Sequence, residues 1–383
     1  MTPRAKGYLA TLDGWRAIAI LAVIVDHGSA YLSQNRFPRV FAITRVGPNG
    51  VSLFFAISGF LICSRLLEEY ERTGRISLSG FYIRRAARIL PPAMTYLVFL
   101  GLLGIAGLIL VSPREWLSSV FFFRNYLPPS LIHPGWGGYT VHYWSLAVEE
   151  HFYLLWPALL VFSGPKRARW VAAGLAILVA CWRTWDFQHH LVNRYLPDLL
   201  FGSRTDVRLD GLLMGCLLAL FLMDHDWKQR FLRVMQPWLW VACVLGYISL
   251  QFYYRHHYYT LMESTLLAVI VASTVLQPQT LVGKFLELGW MRWIGRLSYS
   301  LYLWQQFFLL PEGKYPLSLL QRFPMNCVLL FLVAIVSYKF VERPMISVGH
   351  RLAPPLTPGR TDLEPMTSIP LVEPTPSGAQ SGD

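Results

Sequence analysis

The sequence has few charged residues. Asp, Glu, Lys and Arg together make up 15% of its 383 residues, whereas soluble globular domains contain about 25%. Hydrophobic residues make up 54% of the chain, and 14 of its residues are Trp. The chain has too few charged residues to form the water-exposed surface of a soluble domain, so its composition indicates a membrane protein.

Several motifs that carry common chemistries are also missing. The chain has no Walker-type loop, no G-x-G-x-x-G, no H-E-x-x-H and no C-x-x-C, and its five cysteines are scattered through apolar segments without metal spacing. Nucleotide hydrolysis, dinucleotide chemistry and zinc proteolysis therefore lack support, and we predict no metal site. No basic stripe with interleaved aromatic residues is present either, so nucleic acid is not an expected partner.

Long apolar runs are abundant. A bilayer core of about 30 Å is crossed by a helix of roughly 20 mostly apolar residues. Ten segments meet or approach this length, and we predict an all-α, polytopic membrane bundle of about ten transmembrane helices. The segments are residues 15–33, 50–66, 89–111, 143–162, 168–186, 208–223, 237–254, 258–276, 294–310 and 325–341.

The basic residues predict the orientation of this bundle. With ten spans and a cytoplasmic N-terminus, most of the 34 Lys and Arg residues fall in cytoplasmic segments, as the positive-inside rule requires. We therefore expect both termini in the cytoplasm, and residues 1–350 as one transmembrane domain in contact with membrane lipids. Residues 351–383 are rich in Pro, Ser and Thr, a composition that predicts a disordered cytoplasmic tail.

The first predicted span, "WRAIAILAVIVDHG", carries Arg16 at one end and His27 at the other. They are eleven positions apart in the sequence, so both project from one helical face, about 16 Å apart. Ionisable groups within spans usually face a bundle interior or a water-filled cavity. Arg16 as a snorkelling anchor and His27 as an interfacial cap remain alternatives, although neither explains the shared face.

Two further clusters interrupt the apolar pattern. Glu149 and Glu150 lie just inside the fourth span, at the predicted level of His27, where a carboxylate could orient an imidazole that acts as a general base. Arg84, Arg85 and Arg88 lie at the start of the third span, and the guanidinium fork suits phosphate groups. The alternatives are a water-exposed acidic pair and an ordinary positive-inside flank.

These segments, in this order, resemble the acyltransferase 3 family of integral membrane O-acyltransferases. "LDGWRAIAILAVIVDH" resembles the family's Arg-x10-His helix, "RRAARILPP" its R-x-x-R element, and "YWSLAVEEHFYLLWP" its W-S-L-x-x-E-E-x-F-Y motif. "FFAISGFLI", "RLDGLLMGCLLA", "SYSLYLWQ" and "VERP" fit its other helices, so the resemblance covers about residues 8–350. Two positions depart from the family pattern: Gln305 stands where His is common, and His151 where Gln is common.

The resemblance implies transfer of an acyl group, commonly acetyl, from acyl-CoA to a hydroxyl of a glycan or lipid-linked sugar. We expect one polar cavity in which Arg85 and Arg88, assisted by Arg84, hold the phosphates of the donor. Arg16 would guide the donor, and His27 would act as general base with Glu150 or Glu149 fixing its tautomer. Other residues expected at the cavity or in its support are Ser58, Trp144, Ser145, Arg208, Asp210 and Tyr299.

The expected location is a bacterial cytoplasmic (inner) membrane. A proton-coupled transporter or flippase of a glycan or glycolipid is the alternative, because intramembrane Arg, His and Glu also serve proton coupling. Transporters of that kind usually contain inverted repeats and paired broken helices, and the sequence has no evident pairing of this type.

Overall fold

A computed structural model describes residues 9–29, 46–132, 138–253, 261–309, 320 and 322–354. Regular secondary structure within these residues is helical, and they contain no strand. The predicted all-α class is therefore confirmed for the described part of the chain. Residues 355–383 of the predicted tail lie outside the described residues.

The described residues contain fourteen α-helices. They are α1 (Ala10–Gly28), α2 (Gly47–Thr73), α3 (Leu78–Ile105), α4 (Pro113–Val120), α5 (Tyr143–His189), α6 (Leu191–Tyr195), α7 (Leu209–Met223), α8 (His225–Val234), α9 (Pro237–Tyr253), α10 (Leu261–Leu276), α11 (Leu281–Leu286), α12 (Gly289–Phe308), α13 (Met325–Ser337) and α14 (Arg343–Leu352). A π-helical turn at Tyr338–Glu342 joins α13 to α14.

Four helical segments of the described chain are long and apolar enough to cross a membrane: α2, α3, α5 and the continuous stretch Met325–Leu352. The bent pair α8 and α9, which meet at 83°, makes a fifth if it forms one span. Helices α7 and α10 are apolar but shorter, and α1 has 19 residues that include Asp13, Arg16 and Asp26. Apolar helices thus support a membrane protein, whereas length and composition alone do not confirm ten spans.

Helix α5 contains the two spans predicted at 143–162 and 168–186, joined without a loop. Gly164 interrupts it with φ of +71° and ψ of 155°, a conformation that residues with a Cβ rarely adopt. Pro165 follows, where a missing N–H is tolerated at the start of the second half. A Gly-Pro break therefore separates two helices that the sequence places in different spans.

Close backbone approaches hold the centre of the bundle together. Helix α2 packs against α7, and α1 packs between α2 and α12. A Cβ added at Gly59 of α2 would lie 2.0 Å from the Leu212 carbonyl oxygen of α7, and one at Gly295 of α12 would lie 1.8 Å from the Asp13 carbonyl oxygen of α1. Small residues at such crossings let helix backbones touch, the usual basis of tight packing between membrane helices.

The bundle has two ends that differ in chemistry. We call the end that holds Arg84, Arg85 and Arg88 the arginine end, and the end that holds His27 and His142 the histidine end. Helix α1 runs from the first to the second, because Arg16 lies near its start and His27 near its finish. Helix α12 runs the same way beside it, which places Gln305 at the histidine end.

Candidate active site

A central cavity of about 80 Å³ lies inside the bundle. Helices α1, α2, α3, α5 and α12 all contribute to its wall. The lining residues are Arg16, Val51, Phe54, Phe55, Ser58, Arg85, Arg88, Ile89, Ser145, Leu146, Glu149, Ser298, Tyr299 and Tyr302. Because guanidinium, carboxylate and hydroxyl groups interrupt an apolar wall, the cavity can bind a partly polar ligand.

A second, wider cavity opens at the arginine end, and we call it the vestibule. It has a volume of about 890 Å³ and is lined by charged residues of both signs, among them Arg65, Arg72, Glu68 and Glu71. Arg16, Arg85 and Arg88 line both the vestibule and the central cavity. These three guanidinium groups therefore stand at the junction through which an anionic ligand in the vestibule would extend toward the centre.

Glu149 lies within the central cavity and is held by its neighbours. Its Oε1 accepts a hydrogen bond from Ser58 (3.1 Å), and its Oε2 accepts one from Tyr153 (2.7 Å). The Arg85 guanidinium is 3.7 Å from the same Oε2 and 3.7 Å from the centre of the Tyr153 ring. The carboxylate therefore neutralises an arginine of the junction.

Arg84, Arg85 and Arg88 differ in their hydrogen-bond and ion-pair partners. Arg84 is bound by Glu69 (3.4 Å) and by the Ala353 carbonyl (3.1 Å), so its guanidinium secures the C-terminal end of α14. Arg85 is paired with Glu149. Arg88 forms no hydrogen bond or ion pair within the described residues and is only half buried. Of the residues expected to hold phosphates, Arg88 is the most available, whereas the expected assisting role of Arg84 conflicts with its existing contacts.

His27 has an amide partner where a carboxylate was expected. Its Nδ1 lies 2.5 Å from Oε1 of Gln305, while Glu149 bonds to other side chains and Glu150 forms no hydrogen bond within the described residues. The structure therefore brings neither glutamate into hydrogen-bond contact with His27. Because an amide oxygen only accepts hydrogen bonds, Nδ1 is the donor in this contact, and in the neutral imidazole Nε2 then keeps its lone pair.

Tyr302 connects the central cavity to the histidine end. Its hydroxyl contacts the Ser145 hydroxyl (2.5 Å) and donates to the His142 carbonyl (3.0 Å). Tyr302 and Ser145 line the cavity, whereas His27 lies beyond its lining, one helical turn of α12 further along. The central cavity thus reaches this hydroxyl pair and does not include His27, and one continuous shaft from the arginines to His27 stays a prediction.

The remaining residues singled out in the sequence fall into two groups. Ser58, Ser145 and Tyr299 line the central cavity, and the Tyr299 hydroxyl donates to the Ile89 carbonyl (2.8 Å). Trp144, Arg208 and Asp210 lie outside that cavity and support its wall. Arg208 stacks over the rings of Phe55 and Trp144, and Asp210 pairs with Arg183 at 2.9 Å.

His151 has a structural environment. Its Nδ1 contacts the Thr205 hydroxyl (2.7 Å), and the same hydroxyl accepts a hydrogen bond from Asn125 (2.8 Å). The Thr205 hydroxyl accepts from Asn125 and either donates to His151 or accepts from it, according to the tautomer of the imidazole. His151 therefore joins α5 to the segments around Asn125 and Thr205, away from the central cavity.

Sequence reasoning overlooked Tyr302 and His142, and it left Gln305 without a role. Ser298, Tyr302 and Gln305 recur at i, i+4 and i+7 along α12, so these polar residues mark one face of an apolar helix. That spacing was the available signal. His142 immediately precedes α5 and carries no comparable pattern.

Comparison with known proteins places this site in a family. The sequence profile of the family described as "Acyltransferase domain" matches residues 9–341. The chain belongs to this acyltransferase 3 family.

Two curated relatives are similar over most of this chain. O-acetyltransferase OatA of Staphylococcus aureus is 29% identical over 370 residues, which cover 90% of this chain and 58% of the relative. Peptidoglycan O-acetyltransferase OatA of Listeria monocytogenes is 28% identical over 381 residues, which cover 91% of this chain and 57% of the relative. The chain thus spans less than two thirds of the length of these relatives. No solved structure matches the chain.

Proposed function

We propose that this chain is a membrane-embedded O-acyltransferase that moves an acetyl group from acetyl-CoA to a hydroxyl of a cell-wall glycan. The observation that carries the proposal is the junction of the two cavities, where Arg16, Arg85 and Arg88 meet. Guanidinium groups bind phosphates, and the wide vestibule beside them has room for a nucleotide-sized group. The central cavity beyond them would receive the pantetheine arm and its thioester.

His27 is proposed as the general base. Its Nε2 would take the proton of the acceptor hydroxyl while that oxygen attacks the thioester carbonyl. Collapse of the tetrahedral intermediate breaks the C–S bond, and the protonated His27 returns its proton to the leaving thiolate. Gln305 keeps Nδ1 protonated throughout, because its Oε1 accepts a hydrogen bond from that nitrogen. Ester and free coenzyme A are the products.

The acceptor class is proposed from the relatives. One of them is named for O-acetylation of peptidoglycan, and a sugar hydroxyl is a weak acid that needs a base of this kind. We also propose that the bundle crosses a bacterial cytoplasmic membrane ten times with both termini in the cytoplasm. This orientation turns the arginine end toward the cytoplasmic donor and the histidine end toward the outer glycan.

The test is acetyl transfer by purified full-length protein in liposomes, with acetyl-CoA and a soluble peptidoglycan disaccharide. Loss of a general base costs about 10²- to 10⁴-fold in rate, so His27→Ala is expected to lose at least that factor. Its matched control is His225→Ala, at an exposed histidine at the start of α8. Near-normal turnover by His27→Ala would remove His27 from the mechanism.

A further inference from the structure

The histidine end of the bundle contains buried hydrogen-bonding atoms that have no partner within the described residues. His142 is 2% exposed and both of its ring nitrogens lack a hydrogen bond there; Gln305 is 0% exposed and its amide Nε2 also lacks one. The Leu303 carbonyl lies near the His142 ring, but the contact falls short of hydrogen-bond geometry. Because each unsatisfied buried polar group costs about 1–3 kcal/mol, such a concentration needs an explanation.

These atoms lie beside the proposed base. Gln305 is bonded to His27 through its other amide atom, and His142 is close enough to His27 for the two imidazoles to interact electrostatically. Tyr302 holds His142 from the cavity side, because its hydroxyl donates to the His142 carbonyl and its ring packs edge-on against the imidazole. We call His27, His142 and Gln305 the imidazole cluster.

The His142 ring is also fixed in orientation. It makes edge-on contacts with Tyr96 and Tyr143, with ring centres 5.5 and 5.0 Å apart. A side chain locked by packing while its polar atoms stay unpaired is preorganised for a ligand, because no rotation is needed before binding.

The chemistry of the imidazole cluster selects the kind of ligand. A neutral imidazole offers one donor and one acceptor, and the Gln305 Nε2 offers N–H donors. Hydroxyl groups both donate and accept, so neighbouring sugar hydroxyls would satisfy all of these atoms, whereas an acyl chain would leave them unpaired. We propose that His142 and the Gln305 amide form an acceptor subsite, which binds a sugar hydroxyl next to the one that His27 deprotonates. This inference rests on the proposed function.

The experiment compares His142→Phe with wild type in the liposome assay, with the disaccharide N-acetylglucosaminyl-N-acetylmuramic acid as acceptor. Phe keeps an aromatic ring among its neighbours and removes both nitrogens. Loss of hydrogen bonds worth about 1–3 kcal/mol raises KM for the acceptor about 5- to 150-fold, with KM for acetyl-CoA changed less than about twofold. The matched control is Tyr143→Phe, which removes an adjacent buried hydroxyl that bonds to the Ala93 carbonyl.

The outcomes separate this inference from the proposed function. If wild type transfers no acetyl group, the proposed function fails and the subsite fails with it. If wild type is active and His142→Phe leaves KM for the acceptor unchanged, only the subsite is overturned. The same holds if Tyr143→Phe raises KM for the acceptor as much as His142→Phe does. If coenzyme A no longer raises the unfolding temperature of His142→Phe, that variant is not correctly folded. His142→Gln is then compared with His142→Met, because the two side chains have a similar size and only Gln can form hydrogen bonds. Support then requires a lower acceptor KM for the Gln variant.

Discussion

Glu149 lies in an apolar bundle, yet three side chains bind its carboxylate. Ser58 and Tyr153 donate hydrogen bonds, and Arg85 supplies the opposite charge. Removal of one partner of a buried pair leaves an uncompensated charge, which is more costly than the pair itself is stabilising. Arg85 therefore contributes to folding as well as to any phosphate site, whereas Arg88 forms no hydrogen bond or ion pair within the described residues and interacts with the Glu342 carboxylate only at longer range.

This difference predicts a split between two neighbouring substitutions. Arg88→Ala is expected to raise KM for acetyl-CoA about tenfold or more, because a charge-assisted hydrogen bond is worth about 1.5–3 kcal/mol. Its unfolding temperature should fall less than that of Arg85→Ala, because Arg88 forms no direct ion pair within the described residues. Arg85→Ala is expected to lower the unfolding temperature as well, because the free energy of unfolding falls by up to about 3 kcal/mol. Kinetics and thermal unfolding in detergent measure both effects. Equal thermal destabilisation by the two variants would contradict the assignment.

Gln305 is expected to act through His27 as a positioning residue. Gln305→Leu removes the acceptor for Nδ1–H, so either nitrogen can carry the proton, and we expect kcat to fall about 10- to 100-fold. Gln305→Glu restores an acceptor and should recover most of this loss. A carboxylate stabilises the protonated imidazole. As the solution is acidified, the rate of Gln305→Glu should therefore begin to fall at a higher pH than the rate of wild type. A purely structural role would give no rescue and no change in the pH profile.

At the scale of elements, the sequence predicted the helices better than their mutual contacts. The shared face of Arg16 and His27 was predicted from helical spacing within α1. In the structure His27 contacts Gln305 of α12, and Arg16 lines the central cavity, to which α12 also contributes. The partner of His27 could not be predicted in this way, because Gln305 lies 278 residues away and comes into contact only through packing. The vicinity of Glu149 and His27 was inferred from depth in the membrane alone, which does not specify the direction in which a side chain projects.

The crossing of α1 and α12 determines the distance between His27 and Gln305. A Cβ at Gly295 would lie 1.8 Å from the Asp13 carbonyl oxygen, so Gly295→Ala must push the two helices apart. We expect the free energy of unfolding to fall by about 1–3 kcal/mol. We also expect turnover to fall by more than the smaller folded fraction explains. Thermal unfolding and the acetyl-transfer assay measure the two effects. The control is Gly289→Ala, because a Cβ at the start of α12 meets no atom within 4 Å.

At the scale of the whole molecule, the two ends divide the proposed reaction between two compartments. The vestibule and the arginines lie at one end, and the imidazole cluster lies at the other. A donor made in the cytoplasm and an acceptor outside it would then meet between Arg88 and His27, so the reaction needs no passage of coenzyme A across the membrane. This arrangement requires the arginine end to face the cytoplasm.

Cysteine labelling tests that orientation. Glu71→Cys introduces an exposed thiol at the arginine end, and Arg194→Cys introduces one in α6, beyond the second half of α5, at the histidine end. In intact bacterial cells whose outer layers admit the reagent, a membrane-impermeant maleimide should label Arg194→Cys above the wild-type background. Glu71→Cys should react only after the membrane is permeabilised, because the positive-inside rule retains basic segments in the cytoplasm. The reverse labelling pattern would place the donor site outside the cell and contradict the proposed use of cytoplasmic acetyl-CoA.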